Sequence, residues 1–253
     1  MNRKWLVITL ICTAALLSGV GVVATTRTNA AEDRDQATQA PSPEEVAARQ
    51  AARRLANERS AVQSLRAIAA AETQAHDSAV IDTDGDGIGE FGYLAELAGR
   101  VALRSSSPSG IRKLFPALLP RELGELNESG AVETSGYFVA LVLPGARERD
   151  RTPGLPEVAG GNWIAGGPLP QADAAERLWC AYAWPVEAGV SGTRAFFVDQ
   201  EDRVLQAADG YGGAGNAPAF DAAYAEGHFG DMQAPLPDPQ GIANDGRAWT
   251  PID

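Results

Sequence analysis

Asp82, Asp84 and Asp86 occupy alternate positions of the stretch DTDGDGIGE (82–90), and Gly87 follows the third of them directly. Alternate carboxylates on a tightly turning backbone can aim at one centre, which suits calcium, a hard cation that takes oxygen ligands at flexible geometry. Set against a calcium loop, the three aspartates match the first, third and fifth positions and Gly87 the sixth, where the chain turns sharply. The backbone carbonyl of Ile88 falls at the next ligand position, and Glu90 at the ninth, where it binds directly or through a water. Tyr93 stands at the twelfth, where a bidentate glutamate closes such a loop. The first half of a calcium loop is thus present and the second half is missing. A solvated Asx-rich turn, whose aspartates accept local backbone N–H groups and cap the next helix, fits the same residues.

Little else in the chain can do chemistry. The two histidines are His76, at a helix end, and His228, between glycine-flanked loop residues, and both read as surface groups rather than general bases. Zinc would want nitrogen or sulfur, and only His76 lies near the acidic stretch. Neither a Gly-x-Ser-x-Gly elbow nor a His-Glu-x-x-His pair occurs. Cys180 stands alone in an apolar run and reads as a small buried hydrophobe; with Cys12 in the N-terminal segment, no disulfide framework forms. The expectation is a non-enzymatic protein with, at most, a structural calcium ion.

A formal net charge of −12 argues against nucleic acid as a partner, because a phosphate backbone is bound through clustered Lys and Arg. The 253 residues carry 27 glycines and 16 prolines, which points to a loop-rich fold. The first ~40 and last ~20 residues look poorly suited to a core, which leaves about 190 for a single domain.

Arg3 and Lys4 precede an uncharged apolar run from Trp5 to Ala24, long enough to cross a bilayer as a helix with its basic end in the cytoplasm. Thr28 and Ala30 also offer small residues at signal-peptidase positions, so residues 1–24 fit both a cleaved signal peptide and a retained membrane anchor. Ile11 before Cys12 is not the small residue that a lipoprotein signal carries. Either way the remainder is expected to be exported, to the periplasm or the outer face of the cytoplasmic membrane.

Residues 25–42 are polar and without hydrophobic period, as in a flexible tether. Ser42, Pro43 and Glu45 then form a helix start: cap, first-position proline and capping-box glutamate. The helix is expected to span 43–76, with an apolar stripe of Leu55, Val62, Leu65, Ile68 and Ala69 and a charged first half left projecting. A short helix with Tyr93, Leu94 and Leu97 on one face, closed by Gly99, follows the acidic stretch, and one or two helical turns fall within 114–127. Short apolar runs at 136–145, 178–186, 193–199 and 203–207, separated by turn residues, predict an antiparallel meander. Trp179, Tyr182, Trp184, Phe196 and Phe197 read as core, with one residue of each pair free to face a partner. Residues 146–170 read as a long surface loop with Trp163 tucked inward, and 211–253 as an irregular tail offering at most one helical turn.

Several of these segments resemble the globular part of type IV pilins and of the pseudopilins of type II secretion. SLRAIAAAETQAHDS (64–78) leading to GYLAELAG (92–99) is similar to the passage from an Ala-rich helix to a tyrosine-leucine helix in those proteins. SGYFVALVLPG (135–145) and WPVEAGVSGTRAFFVDQEDRVLQA (184–207) look like their sheet, and the likeness covers roughly residues 60–210. Unlike prepilins, the chain has no glutamate within its apolar run and no leader ending in glycine before an aromatic residue. The resemblance therefore implies an α+β, pilin-like domain, a long helix packed on a small antiparallel meander, carried by an ordinary export signal or anchor. Such a domain implies interaction or assembly in the bacterial envelope. The alternative is a secreted or periplasmic small-ligand-binding protein or hydrolase, with its site around the 146–170 loop and the tail.

Overall fold

A computed structural model describes residues 40–105, 112–162, 166–208 and 210–252. The apolar segment 1–24, most of the tether and Trp163 lie outside the described residues. The compact unit begins at Pro43. It is an α+β fold in which one long helix lies on a seven-stranded antiparallel sheet.

Helix α1 (Pro43–Asp77) runs unbroken for 35 residues, about 52 Å at the rise of an α-helix. Its start coincides with the proline of the predicted capping sequence, and no internal Pro or Gly interrupts it. Burial begins at Glu58 and continues through Ala61, Leu65, Ile68, Ala69, Ala71, Glu72 and Ala75, while residues 43–50 are exposed throughout. The apolar stripe is shorter than its spacing predicts. Leu55 is 50% exposed, because close packing begins only where Glu58 meets Thr193 and Arg194 at the start of a strand. Before it the helix reaches the body through the tips of Arg54 and Asn57, which donate to the Gly189 and Ser191 carbonyls.

The strands are β1 (Val132–Thr134), β2 (Tyr137–Pro144), β3 (Gly154–Pro156), β4 (Cys180–Pro185), β5 (Arg194–Asp199), β6 (Leu205–Ala208) and β7 (Thr250–Pro251). Their order is β1-β2-β4-β5-β6-β7, with β3 sharing the outer edge of β2 beyond β1. The four central strands fall on the four predicted apolar runs. Strands β1, β3 and β7 carry no such run. β3 holds two residues beside Pro156 within the segment that reads as surface loop, and its place at the sheet edge is where a strand tolerates proline.

Alternation sorts the sheet residues onto two faces, and both are covered. Tyr137, Val139, Ala181, Ala183, Phe196 and Val198 face α1, and the small Ala181 and Ala183 let its alanine-rich side approach closely. Phe138, Val142, Cys180, Tyr182, Trp184 and Phe197 face the other way, against Tyr211, Ala222, Ala223, Tyr224, Met232, Ala243 and Trp249. No aromatic of the strands is therefore left for a partner: Trp179, Tyr182, Trp184, Phe196 and Phe197 are all at most 3% exposed.

Residues 211–252 are irregular apart from β7 and contain no helix, but they are a third layer and not a tail outside the core. Aromatic polar tips hold this layer where secondary structure does not, because buried backbone groups need partners. The Tyr182 hydroxyl donates to the Phe220 carbonyl at 2.9 Å and accepts from the Ala223 N–H at 3.1 Å. Trp184 Nε1 donates to the Gly213 carbonyl, and Tyr211 and Trp249 both donate to Asp245 Oδ2, at 2.6 and 3.1 Å.

Candidate metal centre

The acidic stretch leaves α1 through Ser78 and Ala79 and turns back beside it. Gly87 takes φ +89°, which suits the sixth position of a cation-binding turn, and Gly89 packs so closely on the His76 carbonyl that any Cβ there would overlap it. Within the turn, Asp82 accepts the N–H groups of Gly85 (2.7 Å) and Gly87 (3.2 Å), Asp84 that of Asp86 (3.3 Å), and Asp86 that of Ile88 (2.8 Å). These bonds orient the carboxylates locally, as in an Asx-rich turn, and leave further oxygen lone pairs for other partners.

Asp82, Asp84 and Asp86 each offer an oxygen within 4.8 Å of the others, so the three predicted ligands do converge. Ile88 follows them in the same turn, with its side chain 48% exposed. Glu90 is turned the other way and does not join the group. It is 1% exposed; its Oε1 accepts the Thr83 N–H at 2.6 Å and the Thr83 hydroxyl, and its Oε2 lies 3.5 Å from Arg104 Nη2. The reason is that Glu90 opens a fully buried run, residues 89–98, whose first polar side chain must find partners inside.

That interior is rich in charge. Arg104 donates to Glu96 Oε2 at 2.7 Å and to the Phe91 carbonyl at 2.6 Å, and lies over the Tyr93 ring. Glu96 also accepts the N–H of Tyr93, just ahead of helix α2 (Leu94–Leu97). Glu157, at the end of β3, caps α2 from another part of the chain, accepting the N–H of Leu94 at 2.8 Å and of Ala95 at 3.0 Å. Glu72 of α1 accepts the Gly92 N–H at 2.8 Å. Burial pushes the Glu157 carboxyl up to about 8, with Glu96 adding to the shift and the two N–H groups and Arg104 opposing it. Burial likewise raises Glu72 well above the ordinary carboxylate range. A carboxyl poised near neutrality is a mark of many active sites. Here it caps a helix inside the core, so the geometry gives it a structural part.

Helix α3 (Ala172–Ala175) brings two acids that the sequence pattern did not flag. Asp173 and Glu176 place carboxylate oxygens within 4.8 Å of one another and of Asp84. α3 is pinned there by the Phe91 N–H, which donates to the Ala175 carbonyl at 2.8 Å, and by the Gln171 N–H, which donates to the Pro144 carbonyl at 3.0 Å. Burial, then the negative charges of Asp86, Asp84 and Asp173, raise the Glu176 carboxyl. Among the described residues, no Lys or Arg forms an ion pair with any of these five acids. Both groups are all-oxygen, which is the donor chemistry of calcium or magnesium and not of zinc.

Elsewhere, His76 stacks its ring on Phe91 at 5.0 Å, His228 is exposed, and Cys180 is fully buried in the sheet. A surface cavity of about 510 Å³ lies between Glu148–Pro153 and Phe220 and Gly230, the loop and C-terminal segment where the ligand-binding alternative places its site. Its lining is mixed in charge and holds no serine, cysteine or histidine. Among the described residues, no helix is long and apolar enough to cross a membrane. No protein-family model matches the chain, and no curated protein or solved structure matches it either.

Proposed function

We propose that the chain is an exported, non-enzymatic, pilin-like protein of the bacterial envelope that acts by interaction or assembly, with calcium as a structural fastener at its acidic loop. The observation that carries this reading is the division of α1. Its second half packs on the sheet, while residues 43–50 are exposed on every side. A helical stretch that is exposed all round and extends beyond its body is a natural element for contact with another chain. Glu44, Arg49 and Arg53, all exposed, give it charges of both signs for an ionic partner helix. The apolar segment 5–24 supplies the membrane route, as a cleaved signal or as an anchor.

A photo-crosslinking residue at the exposed Ala52 of the full chain, in intact cells, tests this. The proposal expects the chain in the envelope fraction and adducts of discrete mass that vanish when Arg49 and Arg53 are reversed to Glu. A chain confined to the cytoplasmic fraction, or one that forms no adduct at Ala52, overturns it. The small-ligand-binding alternative draws its support from the cavity beside Arg149 and Arg151. It predicts saturable binding of a small anionic ligand that is lost in Arg151→Gln, with crosslinking at Ala52 absent.

A further inference from the structure

We infer that Asp82, Asp84 and Asp86 of the acidic loop, Asp173 of α3 and Glu176 directly after it form one composite site for a divalent cation of the calcium class, the α3 segment supplying the closing ligands that the loop lacks. This rests on the calcium fastener proposed above and extends it to a second element of the fold.

Two overlapping groups of ligand atoms meet at Asp84, one from the loop and one from α3. The loop alone ends in Tyr93 where a glutamate should close it, and Tyr93 is buried with its hydroxyl donating to the Leu155 carbonyl. Glu176 fills the chemical role from a distant part of the chain. It is 9% exposed, and its Oε1 is buried with no hydrogen-bond donor reaching it among the described residues. An unpaired carboxylate oxygen out of water is costly, and the cost is removed by a cation or by a proton.

A proton alone is the weaker remedy. It would neutralise Glu176 and leave Asp84 and Asp173 beside it, and Asp82 and Asp86 beside Asp84, with no Lys or Arg among the described residues paired to them. A divalent cation offsets several of these charges at once. Magnesium is the poorer fit, since it keeps most of its waters and uses one or two carboxylates, whereas calcium accepts many oxygens at irregular angles. The ion would tie the exit of α1 to α3, and through the Gln171 to Pro144 hydrogen bond to the edge of β2.

Calorimetric titration of the chelator-treated full chain with calcium chloride, and separately with magnesium chloride, tests this. Expected is saturable calcium binding, tighter than magnesium, that Asp84→Asn, Asp173→Asn and Glu176→Gln each weaken by about tenfold or more. Asp173 is exposed, so its variant folds whatever becomes of Glu176. If Asp84→Asn weakens binding while Asp173→Asn and Glu176→Gln leave it unchanged, the composite site is overturned and the loop alone binds. If the unmodified chain binds no calcium at millimolar concentration, the composite site and the fastener both fall.

Discussion

Glu58 of α1 and Arg194 of β5, 136 residues apart, meet through Nε at 3.0 Å and Nη2 at 2.5 Å on the same carboxylate oxygen, where the helix first reaches its sheet. The other oxygen accepts the N–H and hydroxyl of Thr193, both at 3.0 Å. Burial pushes this carboxyl up, but the bonds from Arg194 and Thr193 outweigh it and the net shift is downward. Because Arg194 is 36% exposed, screening discounts the pair. Glu58→Gln is expected to cost about 1–2 kcal/mol in urea unfolding at pH 7. A lowered folded pKa contributes stability above the ordinary value of 4.5 and loses it as pH falls, so the difference between variant and parent should shrink in acid.

Glu157 gives the opposite sign. Its folded pKa of about 8 lies above the ordinary 4.5, so between those values the folded chain holds a proton that the unfolded chain has released. Stability is then fully present below 4.5 and declines as pH rises toward 8, by on the order of a few kcal/mol. Glu72 of α1 shares the same direction, while Glu96, Arg104 and Tyr93 complete the charges and tips facing the group. Glu157→Gln should flatten part of this slope in unfolding measured across pH 4.5 to 8, even though it lowers the plateau by giving up one of the two N–H acceptors.

Cys180 should be inert in the folded chain. It is fully buried between the sheet and the third layer, and burial pushes its thiol well above the ordinary range. A thiol reagent such as dithionitrobenzoate is expected to leave it unmodified until denaturant is added, then to react fully.

The third layer should be required for folding. Trp249 is 2% exposed, packs edge-on against Tyr182 and Phe197, and donates to Asp245. Trp249→Ala is expected to cost about 3–5 kcal/mol, and removal of residues 211–253 to abolish the cooperative thermal transition.

Much of the helix and the central sheet was legible in the sequence, because local rules govern them. A capping sequence opens α1, and turn residues bound each of β2, β4, β5 and β6. What a single strand cannot say is whether both its faces are covered. The 211–252 layer has no period to read, since side-chain tips on Asp245, Phe220 and Gly213 replace backbone ladders. At the candidate site, the alternate aspartates were visible by spacing alone. Glu90 shared that acidity, but the largely apolar stretch from Phe91 to Ala95 behind it was the available sign that it points inward. Asp173 and Glu176 sit at a spacing of three, on one side of a helical turn. That pattern is as common on a solvated surface, and only the fold brings it to Asp84.

The claim that the acidic loop of this chain is a structural clamp is tested most directly by thermal unfolding of the full chain in calcium and in chelator. At a calcium concentration about 100-fold above the dissociation constant, binding contributes about 2.7 kcal/mol, which for a chain of this size raises the midpoint by roughly 5–11 °C. The account predicts that rise for the parent chain and its loss in Asp84→Ala. Identical midpoints in calcium and chelator, with no effect of Asp84→Ala on either, would contradict it.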